Sequence, residues 1–315
     1  MMKAIFHYDA GPALLARFAE LAREGFQIDP CPEHDETRLC SLLPQAEVWL
    51  HALRPITAAM IERAPRLRLI QKIGVGVNTI DLAAAKARGI AVANMPGTNT
   101  RAVAETALLL MLAALRRLST LDRACREGSG WALGGGLQER VGELGGRTVG
   151  LLGAGMVPTL LVPILQALGA RVLYCARRDH PELGIARREF GELLAEADIL
   201  SLHVPLVPET ERLLDGAAFA RMKPGAILVN TARGGLVDEA ALAAALASGH
   251  LAAAGLDVFA VEPLPEDCPL LGLDNVVLMP HVAWLTPETL ARSLEVAADN
   301  MRRLRDGCEL SFRVA

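Results

Sequence analysis

Short apolar runs separated by stretches with helical spacing recur along this 315-residue chain. Residues 3–7, 48–50, 69–73 and 90–92 have the length and composition of buried strands, and residues 13–24 repeat apolar side chains at helical intervals. From residue 148 the alternation resumes, with strands predicted at 148–152, 171–175, 199–203, 226–230, 253–257 and 276–279. Strand–helix alternation of this kind builds parallel sheets, so the pattern predicts an α/β chain with two such units. A long apolar helix is predicted over 100–118, an alanine-rich one over 240–247, and a C-terminal one over 287–305.

The segment from Arg147 to Arg178 is the most informative stretch. The strand 148–152 runs straight into Gly153-Ala154-Gly155, a helical stretch follows to Leu168, Gly169 closes it, and 171–175 is a second strand. Glycines at this strand-to-helix turn let a pyrophosphate approach the backbone. The helix start, at Met156 and Val157, offers N–H groups that lack partners within the helix. The third glycine of the usual G-x-G-x-x-G pattern is here Pro158, tolerable in a first turn but expected to shift the helix; Pro163, one turn later, suggests a kink. An NAD site usually carries Asp or Glu about 20 residues past the glycines, on the ribose hydroxyls. This second strand ends instead in Ala176-Arg177-Arg178. Ala176 leaves room for a 2′-phosphate and both arginines can bind one, so NADP is the preferred cofactor, with NAD possible. The alternative is that the two arginines are solvated loop charges pairing with Asp179 or Glu182.

Downstream, Arg233, Glu262 and His281 each stand as a polar side chain at or just after an apolar strand. Open α/β sheets bind ligands at such strand ends. Reduction of a 2-keto acid needs a cation for the carboxylate, a proton donor for the carbonyl oxygen and a carboxylate to tune that donor. Arg233 has the planar fork for the first, His281 titrates near neutrality, and Glu262 would orient the imidazole and favour its charged form. Singly, the three read equally well as a surface ion-pair residue, a turn residue and a loop histidine.

Ordered motifs then carry a resemblance: Gly74-Val75-Gly76-Val77-Asn78, Asn94-Met95-Pro96-Gly97, Gly145-Gly146-Arg147, His203-Val204-Pro205-Leu206, Met222-Lys223-Pro224-Gly225, Asn230-Thr231-Ala232-Arg233-Gly234, Gly255-Leu256-Asp257-Val258-Phe259 and Pro280-His281. Nearly the whole chain resembles the D-isomer-specific 2-hydroxyacid dehydrogenases, glyoxylate/hydroxypyruvate reductases and glycerate dehydrogenases among them. The resemblance implies a doubly wound dinucleotide-binding domain over 100–286. It also implies a flavodoxin-like substrate domain over 1–99 and 287–315, with the small-molecule site in a cleft between the two. It implies hydride exchange between NAD(P)H and a small 2-keto or 2-hydroxy acid, with Arg233, Glu262 and His281 as the catalytic set. The backbone at Val75 and Gly76 becomes a second carboxylate clamp. Val204, Pro205, Thr231, Ala232 and Ala283 join Gly153, Ala154, Gly155, Met156 and Val157 around the cofactor. Asp257 becomes the acceptor for the nicotinamide amide. An arm near residues 121–137, holding Trp131 and Gly134 to Gly136, implies a homodimer. Corepressor-like nucleotide sensors and relatives acting on formate or phosphite share this architecture and stay open as alternatives.

Composition narrows the picture further. A chain of this length exceeds one ordinary core. The formal net charge of −4, without a basic block, gives no sign of nucleic-acid binding. Residues 102–115 are too short to span a bilayer, and no signal-peptide pattern opens the chain, so no membrane role is expected. The six cysteines lack C-x-x-C spacing, which argues for free thiols in the cytoplasm and against a metal site.

Overall fold

The computed structural model describes residues 1–132 and 134–315. They form two compact units, Met1–Asn99 with Leu285–Ala315, and Thr100–Trp284.

The first unit opens with β1 (Met2–His7), α1 (Pro12–Arg23), β2 (Phe26–Pro30), α2 (Glu36–Leu42) and β3 (Val48–His51). It continues through α3 (Ala58–Glu62), β4 (Leu69–Lys72), α4 (Leu82–Ala87) and β5 (Ala91–Ala93). The five strands pair in the order β2-β1-β3-β4-β5 and all run parallel, the flavodoxin-like arrangement. Strand β2 alternates buried Phe26 and Ile28 with the more exposed Gln27 and Asp29 at the sheet edge. Polar caps set the helix starts: Asp35 accepts from the Arg38 N–H and Asp81 from the Ala84 N–H. Trp49, Ile5 and Ile70 fill the core on one face of this sheet.

The second unit begins with α5 (Thr100–Leu115) and α6 (Leu118–Arg126). One long helix over 100–118 is not formed. The helix stops at Leu115 because Arg117 takes a left-handed conformation, φ 54°, and the Leu115 carbonyl accepts from the Gly142 N–H at 2.9 Å. Asp274 holds the second segment through Arg123 and, by its carbonyl, Thr120. Of the 121–137 stretch, residues 121–126 are thus helical, while Leu133 lies outside the described residues.

The sheet of this unit contains β6 (Thr148–Leu152), β7 (Arg171–Cys175), β8 (Ala186–Arg187), β9 (Ile199–Leu202), β10 (Ala226–Asn230), β11 (Leu251–Leu256) and β12 (Val276–Leu278). Helices α7 (Met156–Ala167), α8 (Phe190–Glu196), α9 (Gly216–Arg221) and α10 (Glu239–Ala247) connect them. The strand order β12-β11-β10-β9-β6-β7-β8 is doubly wound, and it reverses between β6 and β9. Helix α7 is capped by Gly155, takes buried Pro158 into its first turn and continues through exposed Pro163. Leucines of β9, β10 and α10 pack one face of the sheet, and α5 with α7 cover the other. Gly255 permits this second packing, because a Cβ there would lie 2.8 Å from that of Leu110.

The last helix, α11 (Pro287–Asp306), returns to the first unit, where Asn300 donates to the Gln71 side chain at 2.6 Å. Among the described residues no helix is long and apolar enough to cross a membrane, and no cluster of His, Cys, Asp or Glu could hold a metal.

Candidate active site

Strands β10, β11 and β12 are followed, past their carboxyl ends, by Arg233, Glu262 and His281, all within the second unit. At the end of β10, buried Asn230 folds the loop after it: its amide donates to the Arg233 carbonyl at 2.8 Å and its oxygen accepts from the Ala232 N–H at 3.0 Å. Arg233 is thereby set past the carboxyl end of the sheet, with Nη1 2.6 Å from the Ala232 carbonyl. Burial lowers its guanidinium from the ordinary arginine range, and the opposing charge of Glu262 limits that shift.

Gly234 lets the loop after β10 lie directly on the loop after β11. A Cβ at Gly234 would fall 1.8 Å from the carbonyl carbon of Phe259, so only glycine fits. The Phe259 N–H in turn donates to Glu262 Oε1 at 2.9 Å, leaving Oε2 for His281 Nδ1 at 2.7 Å. Burial works to raise the Glu262 carboxyl, yet the hydrogen bond and charge of His281 hold it below the usual carboxylate range. With Nδ1 committed to Glu262, Nε2 is the nitrogen left for proton transfer. The structure thus brings Arg233, Glu262 and His281 together.

His281 itself has a left-handed backbone, φ 55°, within a turn built by Asp257. The Asp257 carbonyl accepts from the His281 N–H at 2.7 Å. Its carboxylate oxygens accept one N–H each, from Val282 at 2.9 Å and Ala283 at 3.0 Å. Trp284 Nε1 closes the turn on the His281 carbonyl at 3.0 Å. Burial raises the Asp257 carboxyl to about 6 against the pull of those two N–H groups. The scaffolding of the histidine by Asp257, and of the Arg233 loop by Asn230, is absent from the side-chain chemistry of the sequence. The one available signal is an Asx residue closing each strand.

The turn after β6 fits a dinucleotide. Gly153 has φ 114° and a Cβ there would lie 2.5 Å from the His203 carbonyl oxygen. A Cβ at Gly155 would meet nothing within 4 Å, which is open ground for a phosphate against the backbone. Ala154 and Val157 are half-buried and Met156 is exposed, with the N–H groups of Met156 and Val157 in the first turn of α7. Val204 and Pro205 follow β9, the neighbour of β6 across the switch point. Past β10, Thr231 Oγ1 is buried and has no hydrogen-bond partner among the described residues.

Ala176 follows β7, half-buried, with Arg177 and Arg178 exposed beyond it. Asp179 pairs with Arg187 at 3.3 Å and Glu182 with His180 at 2.8 Å, so neither acid is committed to those two arginines. Arg187, unnoticed in the sequence, also donates to the Ala176 carbonyl at 3.1 Å. Val75 and Gly76 lie in the turn after β4 of the first unit, where the Asn94 amide donates to the Val75 carbonyl at 2.9 Å.

Comparison with known proteins gives a consistent picture. Residues 108–283 match the family described as "D-isomer specific 2-hydroxyacid dehydrogenase, NAD binding domain". The chain is 41% identical over 273 residues to a D-3-phosphoglycerate dehydrogenase of Mycobacterium leprae, covering 85% of this chain and 51% of that one. It thus spans about half the length of that relative. A glyoxylate reductase of Korarchaeum cryptofilum is 42% identical over 258 residues, covering 80% of this chain and 77% of the other. Among solved structures, the TT0316 protein from Thermus thermophilus superposes with a TM-score of 0.89 at 37% identity, covering 100% of both chains. The chain belongs to the D-isomer specific 2-hydroxyacid dehydrogenase family, and its second unit carries the family's NAD-binding domain.

Proposed function

We propose that this protein is an NADP(H)-preferring reductase of small 2-keto acids of the glyoxylate and hydroxypyruvate type, forming D-2-hydroxy acids. The observation that carries this reading is the 2.7 Å contact between His281 Nδ1 and Glu262, with Arg233 at the same carboxyl end of the sheet. Arg233 binds the substrate carboxylate and draws charge from the carbonyl. His281 Nε2 donates the proton to the carbonyl oxygen, or removes it from the hydroxyl in the reverse direction, while Glu262 keeps the ring oriented. The family resemblance would make the backbone N–H groups of Val75 and Gly76 a second clamp for the carboxylate. The bound nicotinamide supplies the hydride.

Gly153, Ala154, Gly155, Met156 and Val157 would hold the pyrophosphate, and Val204, Pro205, Thr231, Ala232, Asp257 and Ala283 would surround the remainder of the cofactor. The finer reading, NADP over NAD, rests on Ala176 standing where an acid would repel a 2′-phosphate, and on Arg177 and Arg178 beside it. The acids nearest in sequence, Asp179 and Glu182, pair elsewhere and leave the two arginines available. A homodimer is part of the same reading, and the six free cysteines favour the cytoplasm.

The test is an absorbance assay of purified protein with glyoxylate, hydroxypyruvate, formate and phosphite, each with both cofactors. Turnover of the two keto acids is expected, with kcat/KM higher for NADPH than for NADH, and the Ala176→Asp, Arg177→Ala variant moving that ratio toward NADH. Oxidation of formate or phosphite instead, or no turnover at all, overturns the substrate reading. A ratio favouring NADH overturns the cofactor reading.

A further inference from the structure

Strands β10, β11 and β12 have a second distinctive end. Where they begin, opposite Arg233, Glu262 and His281, a cavity of about 320 Å³ opens among the first residues of β10 and β11, the end of α5 and residues 139–142. Three arginines line it, Arg117, Arg140 and Arg147, against one acid, Glu139; Asn275 also lines it, its amide donating to the Leu246 and Ala252 carbonyls. We propose that this cavity binds a small polyvalent anion, a phosphate or a polycarboxylate, at a site separate from the reaction centre.

Two features look built for this. Arg117 lines the cavity from a left-handed backbone, φ 54°, a conformation that disfavours a long side chain and persists where surrounding structure enforces it. Gly142 leaves the space that the Arg147 guanidinium fills, since a Cβ at that residue would overlap Nη2 of Arg147. Arg147 Nε is anchored on the Glu143 carbonyl at 2.7 Å, which leaves the rest of its fork unspent.

The surrounding acids do not cancel this charge. Asp274, near Arg117, is hydrogen-bonded by Arg123. Asp198, near Arg147, accepts from Lys223 and from the Thr148 N–H. Burial, and then the like charge of Arg140, push the Arg117 guanidinium down from its ordinary range, so an anion would relieve an existing strain. Planar forks suit carboxylate and phosphate oxygens alike, and the volume suits a ligand of a few carbon atoms.

The full chain is titrated by calorimetry with sodium phosphate and, separately, with sodium citrate, at an ionic strength held constant with chloride. Saturable binding of one anion per chain is expected for at least one of the two. Arg140→Gln, which removes an exposed side chain, should weaken it about tenfold, and Arg147→Gln should do the same. The Arg177→Ala, Arg178→Ala variant should bind as the parent does, because its missing charges lie at the other end of the sheet. Binding equal in the parent and in both cavity variants overturns the proposal. So does loss of binding in the Arg177, Arg178 variant, or no saturable binding of either anion. A change of oligomeric state in Arg140→Gln, with anion affinity unchanged, also overturns it and assigns the arginines to subunit contact.

Discussion

Replacing His281 with Ala leaves Glu262 still held by the Phe259 N–H, so the loop after β11 keeps one of its two anchors. Only the imidazole proposed as proton donor is lost. Turnover should fall by about 10² to 10⁴ while cofactor affinity stays near that of the parent; steady-state kinetics with near-parent turnover would remove His281 from the reaction. Arg233→Lys keeps a charge but loses the two-pronged fork, so KM should rise and kcat fall together, whereas unchanged kinetics would mean that Arg233 is not the carboxylate clamp. A third residue-scale consequence lies in the first unit, where neighbouring strand ends bury His7 and His51. Burial, and then Arg54, lower His7 to about 4, and burial with Lys72 lowers His51 well below its usual value. Unfolded imidazoles titrate near 6.5, so between that value and about 4 the unfolded chain binds more protons. Stability is therefore fully present above pH 6.5 and declines as pH falls. His7 alone should account for about 2 kcal/mol between pH 7 and 5. Urea midpoints at the two pH values should differ more in the parent than in His7→Phe, and equal differences would refute the assignment.

At the scale of elements, the packing of one loop on another decides whether the site exists. Gly234→Ala puts a methyl group 1.8 Å from the Phe259 carbonyl carbon and 2.3 Å from the Ala260 nitrogen, and backbone cannot step aside as a side chain can. A loss of roughly 3 kcal/mol, the upper end for overpacking, is expected, together with lower turnover, because Phe259 anchors Glu262. Gly216→Ala, whose Cβ would meet Ala241 at 3.9 Å, is the matched control, with a change within about 0.5 kcal/mol. Thermal melts that fail to separate the two variants would show that the loops move apart freely. The same scale explains what is legible in the sequence. Strands β6 and β7 announce themselves by uninterrupted apolar runs ended by glycine or a polar turn, and Arg233, Glu262 and His281 by chemistry in their own side chains. Strand β2 escapes the apolar pattern because its five residues alternate at a sheet edge and end in proline. The end of α5 is hidden because Arg117 adopts a conformation usual for glycine, and a contact 27 residues away in sequence, from Leu115 to Gly142, satisfies the helix end. The role of Asp257 under His281 depends on a turn that no local pattern records.

For the whole molecule, the apolar surface left on the second unit bears on assembly. Trp131 is 97% exposed, Leu118 at the start of α6 is 52% exposed, and Leu109 and Leu112 on α5 are 49% and 38% exposed. Leu109 and Leu112 are three residues apart and share one helix face, so α5 presents an apolar stripe to solvent beside its buried one. An indole open to water on nearly every side contributes nothing to the fold of its own chain, and such side chains are enriched where a partner covers them. A second copy of the chain, related by a two-fold axis, is the commonest cover, and it matches the arm implied by residues 121–137. Light scattering at micromolar concentration should therefore give about twice the 33.6 kDa of one chain. Trp131→Asp should shift the mass toward one chain while leaving the unfolding midpoint of that single chain unchanged, because Trp131 is 97% exposed within it. A parent that scatters as one chain would rule the dimer out. A Trp131→Asp variant that stays dimeric would move the interface from the arm to the leucines of α5, and Leu109→Asp would then be the substitution that separates the subunits.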